Sequence, residues 1–221
     1  MGIVLGYILV ICFCVLFAKV LTRKLHLKRA DKILMKMHKK VCVVAAICCV
    51  LHMIFVFPVL WGRSVYVLVT GIVAVVIIAG IILFCYVIKE KTVRLRWHRI
   101  LSAGLLVVII LHIVICSIGF VKYQDQMSAI QISGIDAHEL ADGTYVGSYD
   151  VGYIYAKVEV TVKSGKIVDI ELIEHKNEKG EPAEKIVDKI IKEQNTDVDA
   201  VSGATNSSKV IKKAVEEALQ N

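Results

Sequence analysis

Four long apolar runs dominate the first 121 residues: Ile3–Val20, Val41–Trp61, Val65–Ile88 and Ile100–Val121. A helix of about 20 apolar residues crosses a hydrocarbon layer about 30 Å thick, so each run predicts a membrane span. Beyond residue 121 the period changes. From Tyr145 the pattern is strand-like, and Ala156–Lys163 and Lys166–Ile173 alternate apolar and polar residues on either side of Ser164-Gly165. That alternation predicts a β-hairpin with one buried face. Pro182 then opens an amphipathic helix with Ile186, Val187, Ile190 and Ile191 on one stripe, and Lys209–Leu219 predicts a last helix. The expected architecture is an all-α four-helix transmembrane bundle over 1–121, a polar connector over 122–138 and a small α+β domain over 139–221.

Charge gives the bundle a direction. Residues 1–121 carry 15 Lys/Arg and 2 Asp/Glu, whereas residues 122–221 carry 12 and 18. The net charge of +7 therefore conceals a basic half and an acidic half. The basic residues lie in loops between apolar runs, where they set orientation, and this excludes a nucleic-acid footprint. Arg23, Lys24, Lys28, Arg29, Lys32, Lys36, Lys39 and Lys40 follow the first span, and Lys89, Lys91, Arg94, Arg96 and Arg99 follow the third. Both loops are expected in the cytoplasm. The N-terminus and the whole C-terminal domain are then extracytoplasmic. The first run has no basic segment before it and no small-residue cleavage site after it, so it reads as a retained span of a multi-pass cell-membrane protein. The cysteines (Cys12, Cys14, Cys42, Cys48, Cys49, Cys85 and Cys116) all lie in apolar stretches without a CxxC, which suits packing better than zinc or iron–sulfur ligation.

Histidines form the first candidate chemistry. His38 and His52 are 14 residues apart, as are His98 and His112, within similar surroundings: Leu51-His52-Met53 and Leu111-His112-Ile113. Fourteen helical residues turn by about 1400° and rise about 21 Å, so each pair lies on one helix face at two depths. The second and fourth spans run in the same direction, which would bring His38 level with His98 and His52 level with His112. Histidine deep in a span is costly and usually functional. Facing imidazoles at two depths suit axial ligation of two haem irons. Zinc fits poorly, because histidines so far apart cannot share one ion. A quinone site or a proton relay is the remaining alternative. The arrangement resembles the transmembrane domain of ferric reductases and NADPH oxidases, in which two helices each give two histidines to a stacked pair of b-type haems. This chain departs from that type in having four spans rather than six and no cytoplasmic nicotinamide domain. Of the other histidines, His26 is expected in solvent, His138 in the connector, and His175 near the surface at a strand end.

The second candidate lies in Asp199–Ser208, between a polar stretch and the last helix. Small residues Ser202, Gly203 and Ala204 let a bulky anion approach the backbone. Asn206, Ser207 and Ser208 are candidate N-caps, and a helix start suits phosphate. The string Asp199…Ser202-Gly203-Ala204-Thr205 resembles the flavinylation motif of the FMN-binding domain family. That family includes the flavin-carrying C and G subunits of the sodium-pumping quinone reductase and Rnf complexes. The resemblance covers about residues 139–221. It implies that Thr205 receives FMN as a phosphoester from an FMN transferase, with Asp199, Ser202, Gly203 and Ala204 shaping the site.

Together these features make the expected function an oxidoreductase component with no general acid or base of its own. It would pass electrons from a cytoplasmic or membrane donor, a quinol or a reductase, through two b-type haems to covalent FMN and an extracytoplasmic acceptor. The alternative is a membrane-anchored flavin sensor or accessory subunit without its own haem pathway.

Overall fold

The computed structural model describes residues 1–135 and 140–220. Among them, four helices are long and apolar enough to cross a membrane: α1 (Gly2–Lys24), α2 (Lys28–Val56), α3 (Val65–Val87) and α4 (Lys91–Ala129). The chain is a multi-pass membrane protein. Side chains such as Val44, Ile72 and Val107 are exposed on these helices, as lipid-facing residues are. Pro58 lacks the amide that would continue the α2 ladder, and Phe57–Gly62 tightens into a 3-10 turn. The chain forms two compact units, Met1–Trp61 and a second from Gly62 onward.

The first unit is a helical hairpin. α1 ends in a Schellman motif, with Leu27 N–H donating to the Thr22 carbonyl (2.9 Å) and His26 N–H to the Arg23 carbonyl (3.2 Å). His26 occupies the left-handed position of that motif at φ 54°. Gly2 and Gly6 let α1 lie close on α2. A Cβ at Gly2 would sit 2.8 Å from Val56 Cγ2, and one at Gly6 3.3 Å from His52 Cε1.

In the second unit α3 packs on α4, and the C-terminal domain follows. Its described strands are β1 (Gly143–Asp150), β2 (Tyr155–Lys163) and β3 (Lys166–Lys176), antiparallel in the order β1-β2-β3. The β2–β3 turn has positive φ at both central residues, Ser164 (52°) and Gly165 (67°), which is the type I′ geometry that matches strand twist. Ala156, Val158, Val160 and Val162 of β2 all face the core, and every one is fully buried. Opposite them lie Val210, Ile211, Ala214, Val215 and Ala218 of α6 (Thr205–Gln220), with Ile186 and Ile190 of α5 (Ile186–Glu193) beside them. A Cβ at Gly147 would lie 2.3 Å from the backbone oxygen of Ala214 and the nitrogen of Ala218. The absence of that atom lets α6 rest directly on β1.

α4 does not stop where the apolar run stops. It continues to Ala129, and Tyr123, Met127 and Ile130 join the C-terminal core. Their i, i+4, i+7 spacing is an apolar helical stripe among exposed Lys122, Gln124 and Asp125. Part of the stretch expected as a polar connector is therefore a structural member of the C-terminal domain. His138 and Glu139 lie outside the described residues.

Candidate functional site

Thr205 is the first residue of α6, and its side chain is exposed. The approach to it is a tight turn from Val201 to Ala204, closed by Ala204 N–H donating to the Val201 carbonyl at 3.0 Å. Gly203 sits third in that turn with φ +78°, a conformation that favours glycine, as a type II turn requires. Ser202 and Gly203 are exposed, while Ala204 is buried beneath them. The first helical bond runs from Ser208 N–H to the Ala204 carbonyl (2.9 Å), so the amides of 205–207 precede the ladder at the positive end of the helix. Two lysines anchor the strand leading in: Lys212 Nζ donates to the Val198 carbonyl (2.7 Å) and Lys189 Nζ to that of Asp199 (3.3 Å). The Asp199 side chain itself is exposed.

The candidate caps serve other purposes, because the helix begins earlier than the sequence suggests. Ser208 Oγ accepts from Val201 N–H (3.0 Å) and so braces the turn. Ser207 is buried against Gly180, where a Cβ would come within 1.8 Å of Ser207 Oγ. Asn206 donates from Nδ2 to the Tyr123 hydroxyl at 2.8 Å.

That last bond begins an array the sequence did not reveal. Tyr123 stacks on Tyr153 with ring centroids 4.8 Å apart and planes 16° apart. The Arg63 guanidinium lies 3.4 Å from the Tyr153 ring centroid on the connection between α2 and α3, and pairs with Glu178. Arg63, Tyr153, Tyr123 and Asn206 thus connect the α2–α3 connection and the end of α4 to the residue beside Thr205. Arg63 lies in a short loop between two apolar runs, and long-range stacking has no local sequence signature.

His175 is not at the surface. Its side chain is 1% exposed, with Nδ1 2.9 Å from Glu184 Oε1. It shares the helix-covered face with its cross-strand partner Ala156.

Each of the four membrane histidines is half-buried between two exposed neighbours in sequence, so each is turned toward packed protein. His52 Nδ1 lies 2.9 Å from the Gly2 carbonyl oxygen of α1, and His112 Nδ1 lies 2.8 Å from Thr70 Oγ1 of α3. His38 Nε2 is 3.8 Å from Cys42 Sγ, and His98 Nδ1 is 3.8 Å from Cys85 Sγ.

Residues 152–220 match the family model of the FMN-binding domain. The match is confined to the C-terminal domain and includes the whole turn from Val201 to Thr205. No curated protein and no solved structure matches the chain. Residues 152–220 are thus similar to an FMN-binding domain, and they follow four candidate membrane spans.

Proposed function

We propose that the protein conducts electrons across the cell membrane to an FMN held covalently on Thr205. The observation that carries the reading is the Thr205 hydroxyl, exposed on the first residue of α6 and inside the matched range. FMN and haem supply one-electron chemistry when bound; the chain holds, spaces and orients them. An FMN transferase would make the bond: Thr205 Oγ1 attacks the flavin-side phosphorus of a flavin dinucleotide, the P–O–P bond breaks, the nucleoside monophosphate leaves, and the hydroxyl proton passes to solvent. Gly203 and Ser202 would keep the approach open, and the free amides of 205–207 would receive the phosphate. Ser207 does not substitute for Thr205, because it is packed under Gly180.

The histidines supply the route through the membrane. His38 and His98 would hold one haem b, and His52 and His112 the other. Four half-buried imidazoles, in two pairs with the same 14-residue spacing, suit bis-histidine ligation. The basic loops at 22–40 and 89–99 favour the cytoplasm, which places the N-terminus and the flavin domain on the extracytoplasmic side. A tether is useful there, since released FMN would be lost. The donor is a quinol or a cytoplasmic reductase, and the acceptor is extracytoplasmic.

Thr205→Val tests the attachment. The wild-type chain should show a flavin-fluorescent band on a denaturing gel when produced with an FMN transferase, and the variant should show none. A band of undiminished brightness in the variant sinks the assignment.

A further inference from the structure

The two deep histidines carry the same hydrogen-bond pattern from different neighbours. A carbonyl oxygen only accepts, so the 2.9 Å contact between His52 Nδ1 and the Gly2 carbonyl requires a proton on Nδ1. At His112 the partner is a hydroxyl, which can donate or accept. Thr70 Oγ1 already lies 2.7 Å from the Tyr66 carbonyl and 3.2 Å from that of Val67. Its single proton is committed to that backbone. With that proton spent, Thr70 Oγ1 can only accept from His112 Nδ1 at 2.8 Å, so this nitrogen too carries the proton. In a neutral imidazole the lone pair then sits on Nε2 at both positions. The ring edges are also confined: a Cβ added at Gly6 would lie 3.3 Å from His52 Cε1, and one at Gly71 3.7 Å from His112 Cε1.

We propose that Thr70 and the Gly2 carbonyl are positioning groups that fix His112 and His52 as Nδ1–H tautomers, each presenting Nε2 as the iron-binding nitrogen. The second half of this statement rests on the haem reading above; the tautomer does not. A metal-bound histidine almost always donates its other ring N–H to an outer partner, which sets ring orientation and raises ligand basicity. Here the outer partners come from α1 and α3, the helices that carry none of the four candidate ligands. That division of labour gives the two ligand-free helices a role in the site. It also explains why the 14-residue histidine spacing on α2 and α4 reveals only half of the arrangement.

The test uses the full-length protein in lipid nanodiscs with 15N-labelled histidine. In the haem-free wild type, the nitrogen shifts of His52 and His112 should report protonated Nδ1 and unprotonated Nε2. Thr70→Val should release His112 from that single state and leave His52 in it, and Thr70→Ser should restore it. With haem added, Thr70→Val should weaken haem affinity at one of two sites by about 10-fold or more, in the range seen when outer partners of metal ligands are removed. The low-spin electron paramagnetic resonance signal of that haem should shift while the other stays. Protonated Nε2 in the wild type overturns the proposal, as does Thr70→Val with unchanged shifts and affinity. A wild type that binds no haem removes the iron-binding half together with the conduit, and the nitrogen shifts still decide the tautomer.

Discussion

Glu216 offers the sharpest test of how the C-terminal domain is held together. Its side chain is fully buried on α6, yet both oxygens are engaged. Oε1 accepts from Ser133 N–H (2.7 Å), Gly134 N–H (3.2 Å) and Thr196 Oγ1 (2.9 Å), and Oε2 lies 3.1 Å from Lys213 Nζ. Thr196 in turn accepts from Ile135 N–H at 3.1 Å. One carboxylate therefore ties the segment after α4 and the loop after α5 to α6. Burial alone would push its pKa up; the bonds from Lys213, Ser133, Thr196 and Gly134 outweigh it and hold the carboxyl below the ordinary value of 4.5. Glu216→Ala strands two backbone amides, a hydroxyl and a partly screened ammonium. The expected cost is about 3–5 kcal/mol, the range for breaking one side of a buried pair. For a domain of this size that is a fall in melting temperature of about 15–30 °C. Glu216→Gln keeps one acceptor and should cost less. Because the folded pKa is depressed, the stabilisation is fully present above the unfolded value and is lost as pH falls through the folded one. The gap between wild type and Glu216→Gln should therefore narrow below about pH 4.5. Pulse proteolysis of the C-terminal domain in urea, on the full-length protein in micelles, reads both effects. A Glu216→Ala loss under about 1 kcal/mol, the worth of one ordinary hydrogen bond, would refute this account of the network.

Two other perturbations probe the surroundings of Thr205. Gly180→Ala puts a methyl group on Ser207, so it should displace the first turn of α6 and lower flavinylation of Thr205, and adding Ser207→Gly should recover most of it; equal flavin fluorescence in the single variant and wild type contradicts the packing. Arg63→Ala removes the cation over Tyr153, worth about 0.5–2 kcal/mol, and its ion pair with Glu178. Pulse proteolysis of the C-terminal domain should quicken in that variant, and unchanged cleavage would show that the array does not brace the domain.

Length and continuous apolarity revealed the four spans. The 156–163/166–173 hairpin and the stripe through Ile186 and Ile190 followed from periodicity, because each of those segments buries a single face. Helix ends were less legible. α6 starts at Thr205 because Val201–Ala204 closes into a turn and Ser208 braces it from inside the helix; a run of Asn and Ser looks the same whether it caps or braces. The stripe at Tyr123, Met127 and Ile130 was present in the sequence but sat behind Lys122, Gln124 and Asp125, and polarity masked it. His175 was misread as a surface residue, since nothing near it in sequence announces Glu184 or the covering helices. Partners distant in sequence, Thr70 for His112 and Arg63 for Tyr153, have no periodic signal at all.

The central claim is that one chain carries both halves of an electron route. A reduced-minus-oxidised difference spectrum of the purified full-length protein, produced with haem and an FMN transferase, tests it most directly. The account predicts b-type haem bands and flavin bleaching in the same sample, with about half of the haem signal lost in His52→Ala and the flavin retained. Flavin bleaching with no haem bands would contradict it and leave a flavin carrier anchored in the membrane.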